Sequence, residues 1–163
     1  MISSGCDARA TRPWPINATE NLEAEAMVAG PTCETAVVTL VVRDKSLSPL
    51  LAWAARTQDV FGLYAVKDAE AMKTALDSFL DPESSTMKTS ADLPPWNKGK
   101  AEPTTQSAEF PFHPDDGVDQ ASYENIRMTK SPLFAFPQGH ESLAVYVLHG
   151  GRLESVGIQQ FPG

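Results

Sequence analysis

Long apolar runs are missing from this chain, and so is any excess of basic residues. No stretch approaches the roughly 20 consecutive apolar residues that carry a helix across a bilayer, which excludes a membrane-spanning helix. Thirteen Lys and Arg stand against 21 Asp and Glu, a net charge of −8. Without a basic stripe to track a phosphate backbone, nucleic acid is excluded as a partner, and an anionic membrane surface with it. Cysteine and histidine are scarce, two and three residues in 163. Neither Cys6 nor Cys33 belongs to a C-x-x-C motif, and so small and scattered a set defines no zinc site. The P-loop, the G-x-G-x-x-G fingerprint and H-E-x-x-H are all absent, so no cofactor is implied.

What remains has the balance of an ordinary folded protein, 42% hydrophobic and 21% charged, long enough to bury a core without a metal to hold it. Residues 1–19, with Pro13, Trp14 and Pro15 and no periodicity, read as an irregular arm, and 20–163 as one α+β domain. Leu22, Ala24, Ala26 and Val28 alternate with Glu23 and Glu25, as on a half-buried strand. After the Gly30-Pro31 turn, "TAVVTLVVR" is dense in β-branched residues and belongs mid-sheet. "LLAWAAR" returns as its partner, completing a three-stranded antiparallel unit over residues 22–56. Asp68 caps a helix whose apolar face is Met72, Leu76, Phe79 and Leu80. Asp119 caps a second, in which Tyr123 and Ile126 fall at helical spacing.

Between the helices, residues 81–118 change composition. Leu93 and Val118 are the only Leu, Ile or Val residues there, while Pro82, Pro94, Pro95, Pro103, Pro111 and Pro114 crowd in. This reads as a Pro-rich wrap over the surface, anchored by Leu93, Trp96, Phe110 and Phe112. Three strands follow, "LFAF", "SLAVYVL" and "LESVGIQQF". The expected architecture is thus about six mostly antiparallel strands, two helices and a long Pro-rich surface segment.

Four groups of residues carry candidate chemistry. His140-Glu141-Ser142 sets three triad residue types side by side, but strand alternation points Glu141 away from the other two, and a triad needs imidazole between carboxylate and hydroxyl. The Gly150-Gly151 hairpin predicts His149 opposite Arg152, Leu148 opposite Leu153, Val145 opposite Val156 and Leu143 opposite Ile158. That register puts His140 on one face with Tyr146, and a surface for a protein or small-ligand partner is expected from Trp96, Phe112, His140 and Tyr146. "FHPDDGVD" gathers His113, Asp115, Asp116 and Asp119, a metal set or hydrolase site in the alternative reading, although it does not match the calcium-loop spacing. Cys6 and Cys33 are candidates for a disulfide, for lipidation at Cys6, or for inert thiols. "ISSGC" has the small residues of a lipoprotein signal before a cysteine, with Ser3 where an aliphatic residue usually stands.

The succession "ADLPPW", "FPFHPDDGVD", "YENIR", "PLFAF", "QGHESLAVYVL", "GGRLESVG" resembles that of small uncharacterised alphaproteobacterial proteins, often exported or lipid-anchored. The resemblance implies a periplasmic or outer-membrane-anchored protein, with a cytoplasmic one as the alternative, and brings no catalytic residues across. The expected function is therefore non-enzymatic binding in the bacterial cell envelope. A small hydrolase or metal-dependent enzyme using the His113 cluster is the alternative.

Overall fold

The computed structural model describes residues 5–82, 87–96 and 112–160. Where one domain was expected, the chain divides into two compact units, Met1–Ser84 with Gln138–His140, and Ser85–Pro137 with Glu141–Gly163. Each is built on a four-stranded sheet in which every neighbouring pair is antiparallel. The fold class is α+β as expected, with eight strands among the described residues rather than six.

In the first unit the strands β1 (Ala8–Pro15), β2 (Asn21–Ala29), β3 (Val37–Arg43) and β4 (Pro49–Arg56) follow one another in sheet order. The apolar side of the alternation is as read from sequence, with Leu22, Ala24, Ala26, Val28, Val38, Leu40 and Val42 all buried, while Glu25 on the other side is buried too, paired with Arg9 and Arg43. The helix α1 (Ala69–Phe79) begins at Asp68, whose side chain accepts from the Ala71 N–H at 2.8 Å, and it packs chiefly against β1. Its Met72, Leu76 and Phe79 are buried, as the spacing required.

β1 corrects the irregular arm. Ala10 and Trp14 are buried on it, and the Trp14 Nε1–H donates to the Leu80 carbonyl at 2.9 Å, tying the edge strand to the end of α1. Pro13 and Pro15 hide the strand in sequence, yet proline is tolerated at a sheet edge, where an outward N–H has no ladder partner to lose. A disulfide joins Cys6, ahead of β1, to Cys33 in the β2–β3 loop, with their Cα atoms 4.9 Å apart.

The second unit holds β5 (Phe112–Pro114), α2 (Gln120–Thr129), β6 (Leu133–Pro137), β7 (Ser142–His149) and β8 (Arg152–Gln160), in the order β5-β8-β7-β6. Its core is Leu93, Phe112, Tyr123, Leu133, Ala135, Val145, Val147 and Val156. β5 is the other strand missed in sequence, again a proline-bearing edge. Residues 83–86 and 97–111 of the expected wrap, Phe110 among them, lie outside the described residues. Leu93 and Phe112 are anchors as expected, each 1% exposed.

The hairpin register is right at the turn and wrong beyond it. Gly150 and Gly151 take φ of 61° and 75°, the left-handed values a two-residue loop needs, and His149 and Leu148 face Arg152 and Leu153. A bulge then intervenes. Tyr146 faces Ser155 but Val145 faces Gly157, so Val156 is the extra residue, Leu143 meets Gln159, and Ile158 lies opposite Ala144. Gly157 explains the position, since a Cβ there would stand 2.3 Å from the His113 carbonyl oxygen on β5. The bulge brings the one residue without a side chain under the edge strand.

α2 starts at Asp119, which accepts from the Ser122 N–H at 2.8 Å. Its polar side chains satisfy the backbone of "LPPW". The Tyr123 hydroxyl donates to the Pro94 carbonyl at 2.5 Å, the Arg127 Nε–H donates to Leu93 O at 2.9 Å, and Glu124 accepts from the Trp96 N–H at 2.7 Å. Burial pushes the Tyr123 phenol pKa up, and Arg127 offsets only part of that. A raised folded-state pKa gives stability that is whole below the unfolded tyrosine value of about 10 and is lost as pH climbs past it. Unfolding free energy is therefore expected to fall in the alkaline range. Tyr123→Phe should flatten that fall while costing about 1 kcal/mol at neutral pH, which denaturant titrations across pH measure.

Candidate functional site

The sequence-predicted residues fall in different settings. Phe112 is core, and Trp96 is half-buried edge-on against Tyr123, with ring centroids 5.4 Å apart. Tyr146 stacks on Phe136 at 5.7 Å. Burial, followed by the negative charge of Asp115, raises the Tyr146 phenol pKa. His140 belongs to the first unit. Strand β7 begins only at Ser142, so the alternation that was to place His140 beside Tyr146 never reaches it.

Within the acidic quartet the Asp115 and Asp119 carboxylates make structural hydrogen bonds. His113 pairs with Ile158 in the ladder, Asp115 accepts from the Ser155 hydroxyl and through its N–H holds Val156 O at 2.8 Å, and Asp119 caps α2. Asp116 lies in the turn between β5 and α2. Among the described residues no three His, Cys, Asp or Glu side chains gather as a metal site would require. The Cys6 sulfur is bonded to Cys33, which leaves it no thiol for a lipid.

A different group comes together on the first unit. After β4 the chain enters a 3-10 turn, Thr57–Asp59, fixed from inside by the buried Thr57 hydroxyl, which donates to Cys33 O at 2.6 Å. Arg56 and Asp59 pair across this turn at 2.8 Å. Val60 and Leu63 then plug the core, at 0% and 1% exposure. Phe61 and Tyr64, each one position further on, are turned outward and are 44% and 48% exposed.

Onto these rings comes the segment before β7. The Phe61 N–H donates to Gly139 O at 2.9 Å, and His140 Nε2 stands 2.7 Å from Gln58 O. A carbonyl only accepts, so Nε2 carries the hydrogen. The imidazole lies on the Tyr64 ring with centroids 5.0 Å apart and planes 22° from parallel. Tyr64 and His140 thus form a stacked aromatic platform, with Phe61 exposed three residues before Tyr64 on a segment held to Gly139 O through its N–H. Such a surface takes an apolar or planar group by stacking and area burial.

A shallow cleft of about 510 Å³ also opens on the first unit, lined in part by Arg9, Arg12, Glu23, Asp44 and Lys45. Of its arginines, Arg9 pairs with Glu25, which Arg43 shares, and Arg12 pairs with Asp81 at 3.1 Å.

The sequence named His140 but neither Phe61 nor Tyr64. "DVFGLYAV" has no strand or helix period, and the one available signal was the recurrence of Val60 and Leu63 three apart. The chain is an α+β protein of two antiparallel four-stranded units. No known protein family, curated protein or solved structure matches it.

Proposed function

We propose that this chain is a non-enzymatic interaction protein of an oxidising compartment, the bacterial cell envelope, which holds its partner on the Phe61, Tyr64 and His140 platform. The observation that carries the reading is the exposure of Phe61 and Tyr64 on a segment tied to Gly139 O by the Phe61 N–H and to His140 by Gln58 O, with the His140 imidazole stacked on Tyr64. Aromatic side chains fixed in this way lose little entropy on docking and dominate binding hot spots. The disulfide supports the compartment, because such bonds persist where thiols are not kept reduced. The hydrolase reading has one contact in its favour, Ser155 on Asp115. That contact runs directly from hydroxyl to carboxylate, where a triad needs an imidazole between them.

A photoreactive phenylalanine analogue at position 64 tests the proposal, with the same analogue at Met128, which is 78% exposed, as the control. Position 64 is expected to crosslink one envelope component and position 128 none. Phe61→Ala and Tyr64→Ala should each weaken binding of that component about tenfold or more, with melting temperatures unchanged. Equal crosslinking at both positions, or binding indifferent to both substitutions, refutes the platform as the contact.

A further inference from the structure

Sheet edges invite another chain unless something blocks them, and proteins block them with proline, charge, shortness or cover. Three of the four edges here are guarded. β1 contains Pro13 and Pro15, β5 is three residues long and ends in Pro114, and β6 ends in Pro137 with all five residues buried. The fourth, β4, has proline only at its first position and one charge, Arg56, at its last. None of its eight residues is buried.

The direction of its free groups follows from one bond. The Thr57 N–H donates to Ala36 O at 3.0 Å, which makes Thr57 and Ala36 a hydrogen-bonded pair. Alternation then makes hydrogen-bonded pairs of Ala55 with Val38, Trp53 with Leu40 and Leu51 with Val42. The N–H and C=O groups of Ala52, Ala54 and Arg56 therefore point away from β3, and no strand among the described residues lies beyond β4 to receive them.

We infer that β4 is a self-association edge, on which a second copy of this chain adds its own β4 antiparallel to form a continuous eight-stranded sheet. The occupant is read from the strand. A two-fold axis at Trp53 pairs Ala52 with Ala54 of the second copy, so the outward-pointing groups of both bond each other. It pairs Leu51 with Ala55, keeping inner-face residues together, and sets the two Trp53 rings adjacent at the axis, where aromatic pairs are favourable. Each Trp53 already stacks on Phe79 of α1, with centroids 6.0 Å apart, so the join extends an existing row of rings. Arg56 meets Leu50 of the other copy, and the two Arg56 lie about 20 Å apart at about 3.4 Å per residue, beyond the roughly 8 Å screening length of physiological salt. This surface differs from the aromatic platform and does not depend on it.

Sedimentation equilibrium of the full chain tests the inference. The wild type is expected at the mass of two chains, with association that strengthens as salt rises because each copy carries −8. Ala54→Pro removes an N–H that points away from β3 and toward no other strand among the described residues, so it should keep the wild-type circular dichroism while weakening association about a hundredfold, one donor being lost per copy. Should that variant fail to fold, amide exchange in the wild type decides, with the Ala52 and Ala54 N–H groups expected to become protected as concentration rises. A one-chain mass at millimolar concentration, a folded Ala54→Pro that still dimerises, or exchange at these amides indifferent to concentration overturns it.

Discussion

Trp14→Ala is expected to lower the unfolding free energy by about 3–5 kcal/mol, the range for truncating a fully buried large side chain. The indole is 2% exposed on β1 and its Nε1–H holds the Leu80 carbonyl. Truncation removes apolar contact between strand and helix and strands that carbonyl at the end of α1. Trp14→Phe separates the two effects, since it keeps most of the ring and loses the hydrogen bond, and should cost less than half as much. Denaturant midpoints of the two variants measure the difference. With total stabilities of about 5–15 kcal/mol for a typical domain, that is a loss of about a fifth of the stability or more. If it melts within a few degrees of wild type, β1 contributes little to the first unit.

Breaking the Cys6–Cys33 bond should cost a similar amount. The two residues are 27 apart in sequence, and closing a loop of that size removes enough unfolded-chain entropy to stabilise the fold by about 3.5 kcal/mol. Thermal melting with and without reductant, repeated on Cys6→Ser with Cys33→Ser, reads this directly. The double variant should melt like the reduced wild type and be insensitive to reductant. Alkylation of the unreduced wild type under denaturing conditions should add nothing, and after reduction two adducts. A Cys6 thiol that alkylates before reduction would remove the support for an oxidising compartment.

Much of the architecture was legible because the residues concerned obey one local rule each. Val37, Val38, Thr39, Val41 and Val42 mark a central strand by β-branched density, Asp68 and Asp119 cap helices, and Gly150-Gly151 supplies the left-handed angles of a hairpin. β1 and β5 were illegible because Pro13, Pro15 and Pro114 argue against strands unless one knows that these strands lie at edges, which is a property of the assembled sheet. The bulge at Val156 was hidden for a related reason. Only the passage of His113 over Gly157 calls for the extra residue, and that crossing joins segments over 40 residues apart.

The platform is the extreme case. His140 was named from strand alternation, but its position comes from contact with Gln58 and Tyr64, a pairing no local pattern encodes. Phe61 and Tyr64 face outward only because Val60 and Leu63 face in. Aromatic identity alone does not separate Phe112, which fills the core, from Tyr64, which leaves it.

The way α2 grips residues 93–96 has a consequence for how this chain tolerates change. Pro94 and Pro95 have no N–H to offer. The two donors left in the tetrapeptide, on Leu93 and Trp96, are taken by Ser90 O and Glu124, and the Leu93 and Pro94 carbonyls by Arg127 and Tyr123. The helix thus reads main chain, not side-chain identity, and its three reading residues are spaced to fit one register. Point substitutions at Pro95 should pass almost unnoticed, whereas a single inserted residue between 93 and 96 would throw every bond out of step at once.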